Sequence, residues 1–342
     1  MRIVLDAMGS DQRPVPDVAG AVLAAKEYGD TIILVGDKPS VTAELAKHNT
    51  QGLSIEVVHA DEQIGMDEKP SYVVSHKTAS SIHVGLSLVK AGEADGFVTM
   101  GNTGATHAIA TLKTLRRIPG VLRPALTAIY GIDGHNMIFL DIGANADVKA
   151  EYIEQFALMG SLYAQTALNI PAPRVGTLSN GEEEGKGNSL TKESQERLRA
   201  SAFDIHYVGH IEPKEILLNR CDVVVMDGFV GNIFLKTFEG SMSYMAQLIR
   251  KEINRSPLYQ LGALMMRGAF KALRRQLDTR EIGGAPLLGV NGVVIIGHGG
   301  ADAVSVKNAI NQARRAIAGN SIRAMTEQFA KMTSRSTQAL ES

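Results

Sequence analysis

Lys186 stands between two glycines in the run Asn180-Gly181-Glu182-Glu183-Glu184-Gly185-Lys186-Gly187-Asn188. A cation tethered on so bare a backbone can be brought close to a bound anion. Beside an anion the three glutamates would be costly, so on this reading they turn away or order a neighbouring loop. The alternative is a solvated charged loop. Asn232 offers a second choice. It follows Asp227-Gly228-Phe229-Val230-Gly231 and precedes a long helical pattern. It fits a helix N-cap, and its amide equally fits a donor to an oxyanion developing on a carbonyl.

His298, flanked by Gly297 and Gly299 after an apolar run, is either a solvated or structural residue or a ligand contact at a strand end. Cys221 precedes another apolar run with no recognisable base beside it and reads as a small buried hydrophobe. The acidic residues show no H-x-x-E or E-x-x-H spacing, so no metal site is expected. Two nucleotide motifs also fail. The phosphate loop G-x-x-x-x-G-K-[ST] needs Ser or Thr after the lysine, where Gly187 stands. No G-x-G-x-x-G opens the first strand–helix unit, so no cofactor is expected.

These residues need a scaffold, and the hydrophobic pattern supplies one. Strands are predicted over 2–6, 31–36, 54–58, 96–99, 137–142, 174–178, 222–227 and 293–297. Helices are predicted over 15–28, 71–91, 152–168, 189–202 and 232–253. Runs such as Val223-Val224-Val225-Met226 are apolar throughout, which suits strands covered on both faces. The alternation predicts a three-layer α/β/α fold around a mostly parallel sheet, as one domain over 1–342. Strand after strand ends in a Gly/Asn/Asp loop. In open parallel sheets such loops line the ligand crevice, so six of them are expected to converge on one site. Glycine makes up 34 of 342 residues, and the excess falls in these loops, where backbone N–H groups can approach an anion.

Thirty-five basic residues balance thirty-six acidic ones, which argues against nucleic acid as a partner. The first residues carry no signal-peptide core, no run is suited to span a bilayer, and a single cysteine fits a reducing compartment. A cytoplasmic protein is expected. One segment departs from this neutrality. Between Arg250 and Glu281 eight basic residues face three acidic ones, with Leu258, Leu261, Leu264 and Met265 at helical spacing and Arg267, Lys271 and Arg274 on another face. This amphipathic element, at about 250–280, packs on the core or a second subunit, lies in a membrane interface, or receives an acidic carrier protein.

Taken together the loops are recognisable. D-A-M-G-S-D, M-G-N-T-G-A, L-D-I-G-A-N, N-G-E-E-E-G-K-G-N, D-V-V-V-M-D-G-F-V-G-N, L-L-G-V-N-G and H-G-G-A-D occur in the order of one family. From residue 1 to about 330 the sequence closely resembles the bacterial phosphate acyltransferases, or acyl-phosphate synthases (PlsX). The resemblance implies a fold similar to phosphotransacetylases and the isocitrate dehydrogenase group. It implies transfer of a long-chain acyl group from acyl carrier protein to inorganic phosphate, for phosphatidic acid and phospholipid synthesis. It also implies a homodimer, peripheral contact with the inner face of the membrane, and a membrane glycerol-3-phosphate acyltransferase as a possible partner.

On this reading Lys186 and Asn232 are catalytic, Lys186 on phosphate or the developing charge and Asn232 on the thioester carbonyl. Backbone amides near Gly101 and Gly104 hold phosphate, and Asp6, Gly9, Asn102, Thr103, Asn145, Asn188 and His298 complete the substrate lining. Leu261, Leu264, Met265, Arg267, Lys271 and Arg274 contact membrane or carrier. The alternatives are a short-chain phosphotransacetylase using acyl-CoA, and a non-catalytic membrane-associated scaffold.

Overall fold

Successive residues of the first strand, β1 (Arg2–Asp6), enter different cores. Ile3 and Leu5 join one hydrophobic cluster and Val4 the other, all without solvent exposure. The computed structural model describes residues 1–132, 134–183, 185–270 and 283–341. After β1 come α1 (Val15–Tyr28), β2 (Thr31–Gly36), α2 (Lys38–Leu45), β3 (Ile55–His59), α3 (Pro70–His76), α4 (Ser81–Lys90), β4 (Gly96–Thr99) and α5 (Thr103–Ala108). A π-helical segment, Ile109–Thr114, continues α5. There follow β5 (Ala125–Ile132), β6 (His135–Leu140), α6 (Ala150–Ala167), β7 (Arg174–Leu178), α7 (Ser189–Arg199), β8 (His206–Ile211), α8 (Pro213–Ile216) and β9 (Val223–Val225). The chain continues through α9 (Gly228–Ile253), α10 (Pro257–Met265), β10 (Ala285–Leu288), β11 (Val293–Ile296), α11 (Ala303–Ala318) and α12 (Ser321–Glu341).

The strands form one sheet in the order β3-β2-β1-β4-β11-β10-β5-β6-β9-β7-β8. Period-two alternation divides their side chains between the two cores. α1, α6 and α11 cover one face; α3, α4, α5 and the start of α9 cover the other. This is the expected three-layer, mostly parallel architecture, and the apolar runs are strands buried on both sides.

Three strands escape the sequence pattern. β8 is an edge strand whose residues alternate in exposure, with Gly209 inside it. β5 and β10 pair antiparallel in mid-sheet through short ladders, and β10 contains Pro286. The predicted helix over 71–91 is two helices. Ser80 breaks it by pairing as an isolated bridge with Glu62 and capping α4.

The strand directions and registers bear on the expectation of a single crevice. β3, β2, β1, β4 and β11 are mutually parallel, and β6, β9, β7 and β8 form a second parallel block. The antiparallel pairings β11–β10, β10–β5 and β5–β6 reverse the second block relative to the first. The register nevertheless brings the carboxyl ends of the two blocks to about one level, because Pro286 lies beside Ile295, the next residue Leu287 beside Leu126, and Thr127 beside Leu140. The loops after β1, β4 and β11 and those after β6, β9 and β7 start from a common line across the sheet and leave it in opposite directions.

Candidate active site

The second block builds its edge around Asp141. This fully buried carboxylate accepts from Leu126 N (3.0 Å), Gly143 N (3.1 Å), Ala144 N (3.0 Å), Asn145 N (2.6 Å) and Asn145 Nδ2 (2.8 Å). Burial raises its pKa while these donors pull against the rise. The second Asn145 amide hydrogen goes to the Pro124 carbonyl at 2.8 Å. Asn145 thus holds the turn, and its side-chain donors are committed. Asp141 itself was missed as a site-building residue, although the L-D-I-G-A-N run contains it.

α9 is docked on this turn through its first glycines. Gly228 donates to the Asn145 carbonyl at 2.8 Å, and a Cβ on Gly231 would overlap the Asp141 carbonyl oxygen. The helix begins at Gly228, four residues before the predicted start, because Asp227 is the N-cap and accepts from Val230 N at 2.8 Å. Asn232 is therefore not a cap. It sits inside the helix with its Nδ2 only 3.3 Å from where a Cβ on Gly143 would lie. Gly143, Ala146, Gly228, Phe229, Asn232, Ile233 and Lys236 line an open cavity of about 310 Å³. Lys236 was not singled out from the sequence; its spacing of four from Asn232 on a helix was the available signal.

β7 lies beside β9, so the Lys186 loop leaves the same edge as Asn232. The Lys186 stem lies over Gly181, where a Cβ would come within 2.6 Å of its Cγ. Its Nζ is 4.0 Å from Glu183 with half the side chain exposed, so Glu183 faces the lysine instead of turning away. An exposed pair at that separation contributes little and leaves the ammonium available. Asn188 caps α7, accepting from Thr191 N (2.9 Å) and Thr191 Oγ1 (2.8 Å). Its structural role is clear; Glu184 lies outside the described residues.

At the carboxyl ends of the first block, buried Asp6 accepts from Thr99 Oγ1 (2.7 Å) and Met8 N (3.0 Å), and Thr99 Oγ1 accepts from Gly101 N (2.9 Å). Burial raises the Asp6 pKa. A Cβ on Gly9 would come within 2.7 Å of Gly101 N, so glycine is required for the two loops to meet. Asn102 caps α5 through Ala105 N and donates to the carbonyls of Gly65, Met66 and Glu68. It organises the loop, with its side-chain groups occupied. Gly104 lies against Pro70, and Thr103 is exposed. His298 is exposed, in a loop tied by Asp11 N to the Gly299 carbonyl at 2.8 Å. Cys221 is buried and its thiol is pushed up to about 12, which fits a packing role.

The described part of the amphipathic element is largely exposed. α9 buries only Gly228 and Gly231, and α10 buries nothing. Leu261, Leu264 and Met265 are 57%, 64% and 84% exposed. α10 ends at Met265, so Arg267, which is exposed, follows a turn. Lys271 and Arg274 lie outside the described residues. No helix among the described residues is long and apolar enough to cross a membrane.

The fold is one that phosphotransacetylases share. The structure matches a phosphotransacetylase from Streptococcus pyogenes with a TM-score of 0.61 at 17% identity, covering 94% of each chain. It matches a branched-chain phosphotransacylase from Enterococcus faecalis with a TM-score of 0.58 at 13% identity, covering 93% of this chain and 99% of that one. Sequence similarity is much closer to another group. The family described as "Fatty acid synthesis protein" matches residues 1–324. Proteins named phosphate acyltransferase are 46% identical over 317 residues in Geobacter sulfurreducens, covering 93% of this chain and 91% of that relative. The one in Pelobacter propionicus is 44% identical over 331 residues, covering 96% and 95%. The chain belongs to the phosphate acyltransferase family of fatty acid and phospholipid synthesis, and it is an acyltransferase.

Proposed function

We propose that the chain transfers a long-chain acyl group from acyl carrier protein to inorganic phosphate, giving acyl phosphate and free carrier for phosphatidic acid synthesis. The observation that carries the reading is the Asn232 amide, which has no hydrogen-bond partner among the described residues and lines the cavity with Lys236 one turn away. Phosphate is already a nucleophile and the thioester is already activated. The chain has to hold them together and stabilise the tetrahedral oxyanion.

Asn232 donates to the thioester carbonyl as it becomes an oxyanion. Lys186, from the loop of the adjacent strand, and Lys236 supply positive charge for phosphate and for the charge that develops. The loops after β1 and β4, with Asp6, Gly9, Gly101, Asn102, Thr103 and Gly104, together with His298, act from the carboxyl ends of the first block as substrate lining. The exposed leucines and methionine of α10 make contact with membrane or carrier, and the protein works as a homodimer at the inner face of the membrane. A competition assay tests the donor. Palmitoyl carrier protein should outcompete short acyl-CoA in phosphate-dependent thiol release, and a preference for short acyl-CoA would overturn this reading.

A further inference from the structure

The loop that carries Lys186 is fixed at its root and at its exit. At the root, β7 ends at Leu178, and Ser179 N donates to the Ile211 carbonyl at 3.0 Å, which ties the chain to β8. At the exit, Asn188 caps α7 by accepting from Thr191 N at 2.9 Å. One side chain joins the two ends. Asn180 Oδ1 accepts from Gly187 N at 3.0 Å, between residues seven apart in sequence, and closes the loop directly beside Lys186.

Gly187 depends on that bond. Its φ of +88° lies in the left-handed region, and it passes so close to α7 that a Cβ would come within 2.8 Å of the Thr191 Cβ. It belongs to no helix or strand, so its N–H finds its partner in Asn180 and not in a ladder. On the other side, Lys186 N donates to the Glu183 carbonyl at 2.9 Å. The lysine stem rests on Gly181, the residue after Asn180, where a Cβ would come within 2.6 Å of its Cγ. The backbone on both sides of Lys186 and the start of its side chain are therefore held, while its ammonium end stays within a half-exposed side chain, 4.0 Å from Glu183.

A lysine ammonium rides on a long flexible stem, and a charge aimed at an anion is most effective when its position is set before the anion arrives. We propose that Asn180 sets it. Asn180 is a positioning residue that holds Gly187 and so presents Lys186 to bound phosphate. What Lys186 does there rests on the acyl-phosphate reading; the hold of Asn180 on the loop rests on the bond itself. A bond that served only the fold would act independently of the lysine. A residue that works through Lys186 has nothing left to work on once the lysine is gone.

A double-mutant cycle on phosphate kinetics separates the two, with thermal melts as the check on folding. Asn180→Ala should lower kcat/KM for phosphate roughly three- to tenfold, as expected for one hydrogen bond, with a melting temperature close to that of wild type. In Lys186→Ala the same change should cost nothing further. Equal losses in both backgrounds, or no loss in either, would overturn the proposal. Trypsin gives a second readout that needs no activity, because cutting after Lys186 requires the loop to open. Asn180→Ala should be cut there several-fold faster than wild type, and Asn180→Asp, which keeps the acceptor, at close to the wild-type rate. Equal cutting of wild type and Asn180→Ala at this bond would show that Asn180 does not hold the loop. Absence of acyl phosphate from wild type, or full activity in Lys186→Ala, would sink the functional reading instead, and the trypsin rates would still decide whether Asn180 fixes the loop.

Discussion

Asp227 and Asn232 divide the work at the head of one helix. Asp227 accepts from Val230 N at 2.8 Å and caps α9, which frees the Asn232 amide to face Gly143 across the cavity.

The two residues should therefore fail in different ways. Asn232→Ala removes an oxyanion donor and is expected to lower kcat by about 10²–10³, with stability close to wild type. Asp227→Ala is expected to cost about 1 kcal/mol of stability through the lost cap. Steady-state kinetics and thermal melts on both variants check this, and a large stability loss in Asn232→Ala would return that residue to a structural role.

Gly231 lets α9 rest on the Asp141 turn. A Cβ there would overlap the Asp141 carbonyl oxygen, which is backbone and cannot rotate away. Gly231→Ala should destabilise the protein by about 1–3 kcal/mol and lower turnover with it. Denaturant melts with unchanged midpoint would contradict this docking.

Asp17 gives a pH prediction. It is buried, accepts from Ser10 Oγ at 2.5 Å, and its other oxygen has no partner. Burial first, then nearby Asp6, pushes its pKa up to about 7 from an unfolded value of 3.8, against the pull of Ser10. Between those values the folded state binds more protons than the unfolded one. Stability from this group is therefore full below about pH 4 and falls as pH rises towards 7, by on the order of 4 kcal/mol. Asp17→Asn should flatten that slope and be more stable than wild type at pH 8. Parallel pH–stability curves for the two proteins would show that Asp17 does not titrate in this range.

Leu261 and Leu264 on α10 are exposed on a helix that buries nothing. Replacing either with Glu removes apolar surface from the proposed membrane contact at no cost to the core. Liposome flotation should weaken in Leu261→Glu and Leu264→Glu while melting temperature holds. Unchanged flotation would assign the helix to a protein contact.

Much of the scaffold was legible because β1, β2, β4, β7 and β11 combine apolar runs with turn residues, which periodicity detects. β5 and β10 were not, because the antiparallel pairings that place them in mid-sheet are long-range and leave no local signature. That omission hid the reversal between the two blocks, and with it the opposite directions in which their loops leave a common line across the sheet. At the site, Asn232 and Lys186 were marked by their glycine surroundings. Lys236 was not, since its one signal is a spacing of four from Asn232, which any long helix offers many times over. Asn102, Asn145 and Asn188 stood out for the same composition as Asn232, yet their side chains hold caps and turns. Residue type alone cannot separate a committed amide from a free one.

The most direct test of the account is to incubate the protein with palmitoyl carrier protein and inorganic phosphate and trap the product with hydroxylamine. The account predicts palmitoyl hydroxamate that depends on phosphate, appears in step with free carrier thiol, and falls by about 10²–10³ in rate with Asn232→Ala. Thiol release without phosphate dependence, or equal rates from wild type and Asn232→Ala, would contradict it.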